Sequence, residues 1–163
     1  LTQHNLEWIT LVAWADQEDY DSPIVRHHNG DSTRMSNRDS NWVSQIKLAR
    51  SAGFKVFAKP HIWIHSPSDD KWRSDIFPKN EANWKLWKES YRDFILRYAK
   101  LAEQANAEMF CIGMELTRLS VEKPDFWRTL IQDVRNVYSG KITYAANWYN
   151  EYEKVTFWYL PLS

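Results

Sequence analysis

Four polar residues stand just past the ends of four apolar runs: Asp16, His61, Glu115 and Asn147. Trp14 and Trp148 accompany the first and last of them, and Trp63 follows His61 by two positions. Cleavage of a glycosidic bond uses residues of these types. It needs a carboxylic acid beside the leaving oxygen, a second carboxylate on the anomeric side, and donors to the sugar hydroxyls. Indoles combine a flat apolar face with a polar edge, which suits a sugar ring. An acid that is to stay protonated near neutral pH needs partial desolvation, and the run leading to Glu115 is apolar from Met109 to Met114. The plain alternative is that Glu115 opens a loop in water.

A metal centre is the competing chemistry, with His61, His65, Asp16 and Glu115 as ligand types. Neither HExxH nor a paired Cys motif occurs, and His61 and His65 share a face only on a helix, which Pro60 opposes. We therefore expect no metal, and no cofactor either. The four glycines form no nucleotide-binding turn. His27 and His28 read as loop residues, and no Ser-His-Asp triad signature is visible. Cys111 is the only cysteine. Its apolar strand makes it a core thiol rather than a nucleophile.

These residues need a scaffold that brings strand ends together. Trp8-Ile9-Thr10-Leu11-Val12-Ala13 reads as a strand, and the segment from Trp14 to Asp21 reads as too polar to continue it. A long polar stretch reaches Ser40. A helix follows, capped by Ser40 or Asn41, with Trp42, Val43, Ile46, Ala49 and Ala52 on its apolar face and Gly53 as a left-handed end. Lys55 to Lys59 is a second strand, stopped by Pro60. From about Asn83 to Gln104 the stripe Trp84, Trp87, Tyr91, Phe94, Ile95, Tyr98, Leu101, Ala102, Ala105 predicts a long helix. Met109 to Met114 is a strand buried on both faces. A third helix starts near Pro124, and Lys141 to Ala146 is a fourth strand. Alternation of this kind implies parallel βαβ units in one domain, residues 1–163. A parallel sheet then delivers all four polar residues to one rim, outside the carboxyl ends of its strands.

Composition narrows the partners. The 163 residues carry 21 Lys+Arg against 21 Asp+Glu, so no overall field attracts nucleic acid. No apolar run approaches the roughly 18 residues of a membrane span. Ten Trp in a chain of this length exceed what one core hides completely, so some should line a surface, and a carbohydrate is the expected partner.

Three ordered motifs resemble glycoside hydrolase family 113, the clan A (β/α)8 barrels that include retaining β-mannanases. They are Lys59-Pro60-His61, Phe110-Cys111-Ile112-Gly113-Met114-Glu115-Leu116 and Tyr144-Ala145-Ala146-Asn147-Trp148. The resemblance implies an α/β fold, an incomplete TIM barrel holding about strands two to five and the start of six. It also implies Glu115 as general acid/base, His61 and Asn147 around the reactive subsite, and Trp14 and Trp148 stacking on substrate. Asp16 and Trp63 join them as substrate-binding candidates on the same rim. Clan A enzymes commonly carry Asn before the acid/base, where this chain has Met114.

A (β/α)8 barrel takes about 250 residues, and the resemblance places the nucleophile glutamate at the end of strand seven. Glu151 and Glu153 follow strand five, and both read as exposed loop carboxylates. In the tail, Trp158 runs straight into Tyr159-Leu160-Pro161-Leu162, where relatives interpose a strand. The expected function is a retaining glycoside hydrolase of β-mannan-like polymers, inactive without its second carboxylate. The alternative is a non-catalytic carbohydrate-binding or self-assembling half-barrel module, since open sheet edges invite pairing with another copy. A secreted or periplasmic setting is favoured only because polysaccharide hydrolases usually work there.

Overall fold

The computed structural model describes residues 6–27 and 38–157. His28, the polar stretch after it and the tail from Trp158 lie outside the described residues. Strands β1 (Trp8–Leu11), β4 (Lys55–Ala58), β6 (Met109–Met114) and β7 (Lys141–Ala145) form one sheet in the order β1-β4-β6-β7, every pair parallel. Helices α1 (Asp39–Ser51), α2 (Glu81–Ala105) and α4 (Pro124–Arg135) make the crossovers. Shorter elements β2 (Trp14–Gln17), β3 (Arg26–His27), β5 (His61–Ile64) and α3 (Thr117–Glu122) complete the described chain.

Local chemistry sets the helix ends. The Asn80 side chain accepts the Asn83 N–H at 2.9 Å, starting α2, and Asn106 closes it at φ +58°. Trp84, Trp87, Tyr91, Phe94, Ile95, Tyr98, Ala102 and Ala105 are buried along α2, as its stripe predicts. Gly53 takes φ +88° after α1, which a side chain would resist. The start of α1 differs from expectation. Neither Ser40 nor Asn41 caps it: the helix begins at Asp39, whose carboxylate meets the dipole of the first turn and pairs with Arg97 at 2.6 Å.

The polar segment after β1 is a strand after all. β2 pairs in parallel with β5, and β3 adds antiparallel to β2. Trp8 faces Lys55 and Trp14 faces His61, the same offset of 47 positions in both pairs. The ladder crosses the gap through Lys59 N–H to Leu11 O and His61 N–H to Ala13 O, both 2.8 Å. β1–β2 and β4–β5 are therefore one two-stranded ribbon that outruns the main sheet. Pro60 does not stop it. Successive N–H groups alternate sides, so with Lys59 and His61 turned toward the β1 side, Pro60 has its missing donor on the β6 side. Pairing with β6 ends there, at Ala58 opposite Phe110.

One ribbon face is buried: Ala15, Gln17, Ile62 and Ile64. Gln17 is tolerated inside because its Oε1 accepts the Trp87 indole N–H at 2.9 Å and its Nε2 donates to Asp19 O at 2.7 Å. The opposite face presents Trp14, Asp16, His61 and Trp63.

Behind β6 the core is aromatic. Tyr91 donates to Ile112 O at 2.8 Å, Tyr138 to Ala107 O at 2.7 Å, and Trp127 to Leu119 O at 3.0 Å. At Gly113 an added Cβ would meet Trp127 at 2.8 Å and Tyr144 at 2.9 Å, so glycine is what lets β6 lie against those rings. Glu151 corrects the sequence reading: it is fully buried, whereas Glu153 is exposed. The turn after β7 folds back over α3 and carries Glu151 under it.

Candidate active site

Glu115 is the first residue past β6 and sits at φ +52°. For a non-glycine residue this left-handed conformation costs about 1–2 kcal/mol, so its surroundings must impose it. Its N–H donates to Ala145 O at 2.9 Å, fastening it to the end of β7. The carboxylate is 32% exposed and lies 3.8 Å from Arg73 Nη1.

Arg73 belongs to a single 3₁₀ turn, Arg73–Asp75, in the connection between β5 and α2. Its guanidinium lies 4.4 Å over the Trp72 ring and also contacts Nε2 of His61. Guanidinium nitrogens only donate, so Nε2 is the acceptor and the His61 proton resides on Nδ1. His61 is 4% exposed and its ring lies 4.9 Å from that of Trp14, which in turn meets Trp63 edge-on at 5.9 Å. The rim thus reads Trp63, Trp14, His61, Arg73, Glu115 in spatial sequence. Arg73 is the member that sequence reasoning missed. No strand end or spacing marks it, and its only signal is an Arg beside Trp72 in the loop after the His61 strand.

Burial, then the charges of Arg73 and Lys59, lower the His61 pKa to about 3. His61 is therefore neutral in the folded protein, with consequences for stability. The unfolded chain takes up a proton near pH 6.5 that the folded chain refuses until about pH 3. The contribution is complete above pH 6.5 and falls away as pH drops below it. Between pH 7 and pH 5 His61 alone is expected to remove about 2 kcal/mol. Urea unfolding across that range should show the loss in the native chain and a flatter profile in His61→Gln. Equal pH slopes in the two proteins would overturn the assignment.

The other expected residues are distributed around this cluster. Asp16 turns its carboxylate to His65, Oδ1 to Nε2 at 3.1 Å, and with Gln17, Glu18, Arg26 and Ser66 they line a cavity of about 520 Å³ further along the ribbon. The four residues weighed as metal ligands are thus divided: Asp16 pairs with His65, while His61 and Glu115 face the Arg73 cation. Among the described residues no group of three or more His, Cys, Asp or Glu is placed to share a metal ion. Asn147 uses its Oδ1 to accept the Tyr149 N–H at 2.9 Å, leaving its amide NH2 as what it can offer a ligand. Trp148 is 83% exposed and forms an aromatic patch with Tyr149, 5.9 Å away edge-on. A separate groove of about 430 Å³ between α2 and α4 involves none of these residues. Chemically, the rim combines one accessible carboxylate, a permanent cation, a neutral imidazole and exposed indole faces.

The family model of Glycoside Hydrolase Family 113 matches residues 1–160. Two solved structures of GH113 β-1,4-mannanase, one of them a complex, are 32% identical with a TM-score of 0.78, over 93% of this chain and 48% of theirs. The GH113 β-mannanase AaManA from Alicyclobacillus acidocaldarius, in complex with ManMIm, is 30% identical with a TM-score of 0.81, over 96% of this chain and 50% of that one. No curated protein sequence matches. The chain spans about half the length of the solved structures it matches, so its parallel βα units make up an incomplete TIM barrel.

Proposed function

The chain belongs to Glycoside Hydrolase Family 113, and from that premise we propose that it carries the acid/base half of a retaining, β-mannanase-like active site. The observation that carries the reading is Glu115 itself: a partly exposed carboxylate held at a strained backbone angle on the rim, beside Arg73 and His61. Strain of this kind persists where the surroundings over-determine it, and such positions cluster at functional sites.

Glu115 would donate its proton to the glycosidic oxygen and, in the second step, take one from the attacking water. Retention needs a second carboxylate about 5–5.5 Å away as nucleophile. Glu151 is closed off in the core, and Glu153 stands on an exposed turn beyond β7. We assign the nucleophile to the barrel half that these 163 residues do not include. Edges β1 and β7 are where that half joins, with a second copy of this chain as the competing occupant. Arg73 and His61 donate to hydroxyls of the reacting sugar. Trp14, Trp63 and Trp148 provide stacking faces, and Asn147 and Asp16 polar contacts along the chain of sugars.

The 163 residues alone are expected to bind β-1,4-manno-oligosaccharides and to hydrolyse them little. Trp148→Ala should weaken binding several-fold and shift stability by less than about 0.5 kcal/mol, because the indole is exposed. Titration calorimetry and reducing-sugar release check both parts. Robust turnover by these residues alone would sink the assignment of the nucleophile elsewhere, and absence of sugar binding would sink the substrate class.

A further inference from the structure

We propose that Glu151, acting through the hydroxyl of Tyr144, is the positioning residue that holds Glu115 in its left-handed conformation. Its catalytic meaning rests on the reading of Glu115 as acid/base; its geometry does not.

Glu151 is fully buried among donors. Oε1 accepts from the hydroxyls of Tyr144 and Ser120, the latter at 2.7 Å. Oε2 accepts from the Thr117 hydroxyl at 3.0 Å and the Asn147 N–H at 2.6 Å. The hydroxyls of Tyr144 and Thr117 and the Asn147 N–H aim at the carboxylate, while the one Ser120 proton is contested by Thr117 O at 2.9 Å. An ionised carboxylate has nothing to donate in return. The direction of the network is thereby set. Tyr144 has one hydroxyl proton, and Glu151 takes it. The phenol oxygen then presents a lone pair to the Leu116 N–H, which donates to it at 2.9 Å. Burial, and next the Glu151 charge, raise the Tyr144 pKa well above its ordinary value, so the proton stays in place.

Leu116 N–H belongs to the peptide immediately after Glu115, and Glu115 N–H, bound to Ala145 O, to the peptide immediately before it. Both peptides flanking Glu115 are pinned, which is what an unfavourable φ requires. The Tyr144 ring cannot swing away, because Trp127 and Phe157 stand edge-on to it with centroids at 5.1 and 5.4 Å. Through Asn147 N–H the same carboxylate also fixes the turn that carries Trp148. One buried anion therefore sets the relation between the loops after β6 and β7.

Tyr144→Phe removes the acceptor and keeps the ring, and Glu151→Gln removes the charge that orients it. Amide hydrogen exchange resolved by NMR is the test, with the amides of α2 as the internal reference. A lost hydrogen bond of ordinary strength corresponds to on the order of tenfold in an opening equilibrium. In Tyr144→Phe the Leu116 amide should exchange about tenfold faster relative to the amides of α2, and in Glu151→Gln faster by less. Should Tyr144→Phe fail to fold, Glu151→Gln decides. Unchanged exchange at Leu116, or a uniform rise across all amides, overturns the proposal. In a barrel carrying both halves, kcat for manno-oligosaccharides should fall with KM steady; a rise in KM alone counts against positioning. If Glu115→Gln keeps full turnover while Leu116 responds as stated, the acid/base reading fails and the positioning stands.

Discussion

Replacing Glu115 by glutamine is expected to lower hydrolysis of β-1,4-mannan about 10²–10⁴-fold in a barrel carrying both halves, with sugar binding nearly unchanged. The amide has the shape of the acid and keeps its hydrogen-bonding reach, but it cannot deliver a proton to the leaving oxygen. It also cannot remove one from water in the second step. Little else should change. Gln occupies the same left-handed backbone angle at the same cost, and the Arg73 contact it weakens is long, 3.8 Å, and partly exposed, a kind of pair worth at most about 1 kcal/mol. Rates on manno-oligosaccharides, calorimetric binding and thermal melts together test this. Retained turnover would remove Glu115 from catalysis. Parallel loss of binding would make it a substrate ligand. A module that only binds sugar would show no turnover to lose, which separates the catalytic reading from the half-barrel binding alternative.

Trp127→Ala should cost about 3–5 kcal/mol of folding stability, the range for deleting a large buried aromatic. Trp127 is wholly buried. It stacks on Phe157 at 5.4 Å, meets Tyr144 edge-on at 5.1 Å, donates its indole N–H to Leu119 O, and covers Gly113 where no Cβ fits. The cavity would open directly behind the strand that ends in Glu115, against rings too rigid to close it. Single domains are stable by about 5–15 kcal/mol, so the variant sits near the edge of unfolding. Urea unfolding followed by circular dichroism is the check, and a loss under about 1 kcal/mol would show that neighbours fill the space.

Both predictions depend on an element that was legible in the chain. Met109 to Met114 carries no polar side chain on either face, and only a strand covered on both sides has a use for that. The stripe on α2 and the start of α4 at Pro124 announce themselves in the same way, since periodicity and a proline's missing N–H are properties of neighbours in sequence. The ribbon did not. Trp14 to Gln17 looks too polar for a strand when judged by its own residues. It is one because β5 runs beside it in the register that β1 and β4 already set, and because Trp87, far along the chain, satisfies Gln17. Pro60 misled for a related reason: a proline ends pairing on one side of a strand, and which side is a fact about the neighbours.

The site divides along the same line. The amino-acid sequence by itself marked Glu115 and Asn147 as lying just past strands, which they do. It singled out Asp16, His61, Trp14, Trp63 and Trp148 by side-chain type, although Asp16 and His61 lie within β2 and β5 rather than beyond a strand end. Side-chain type and strand periodicity are local. Only the tertiary structure decided how they are used. It placed Arg73 between His61 and Glu115, turned Asp16 toward His65, and buried Glu151 under the rim instead of leaving it in water. Each of those outcomes depends on which charges and donors meet across dozens of residues, and hydrogen bonds and ion pairs act over a few ångströms of space whatever their distance along the chain.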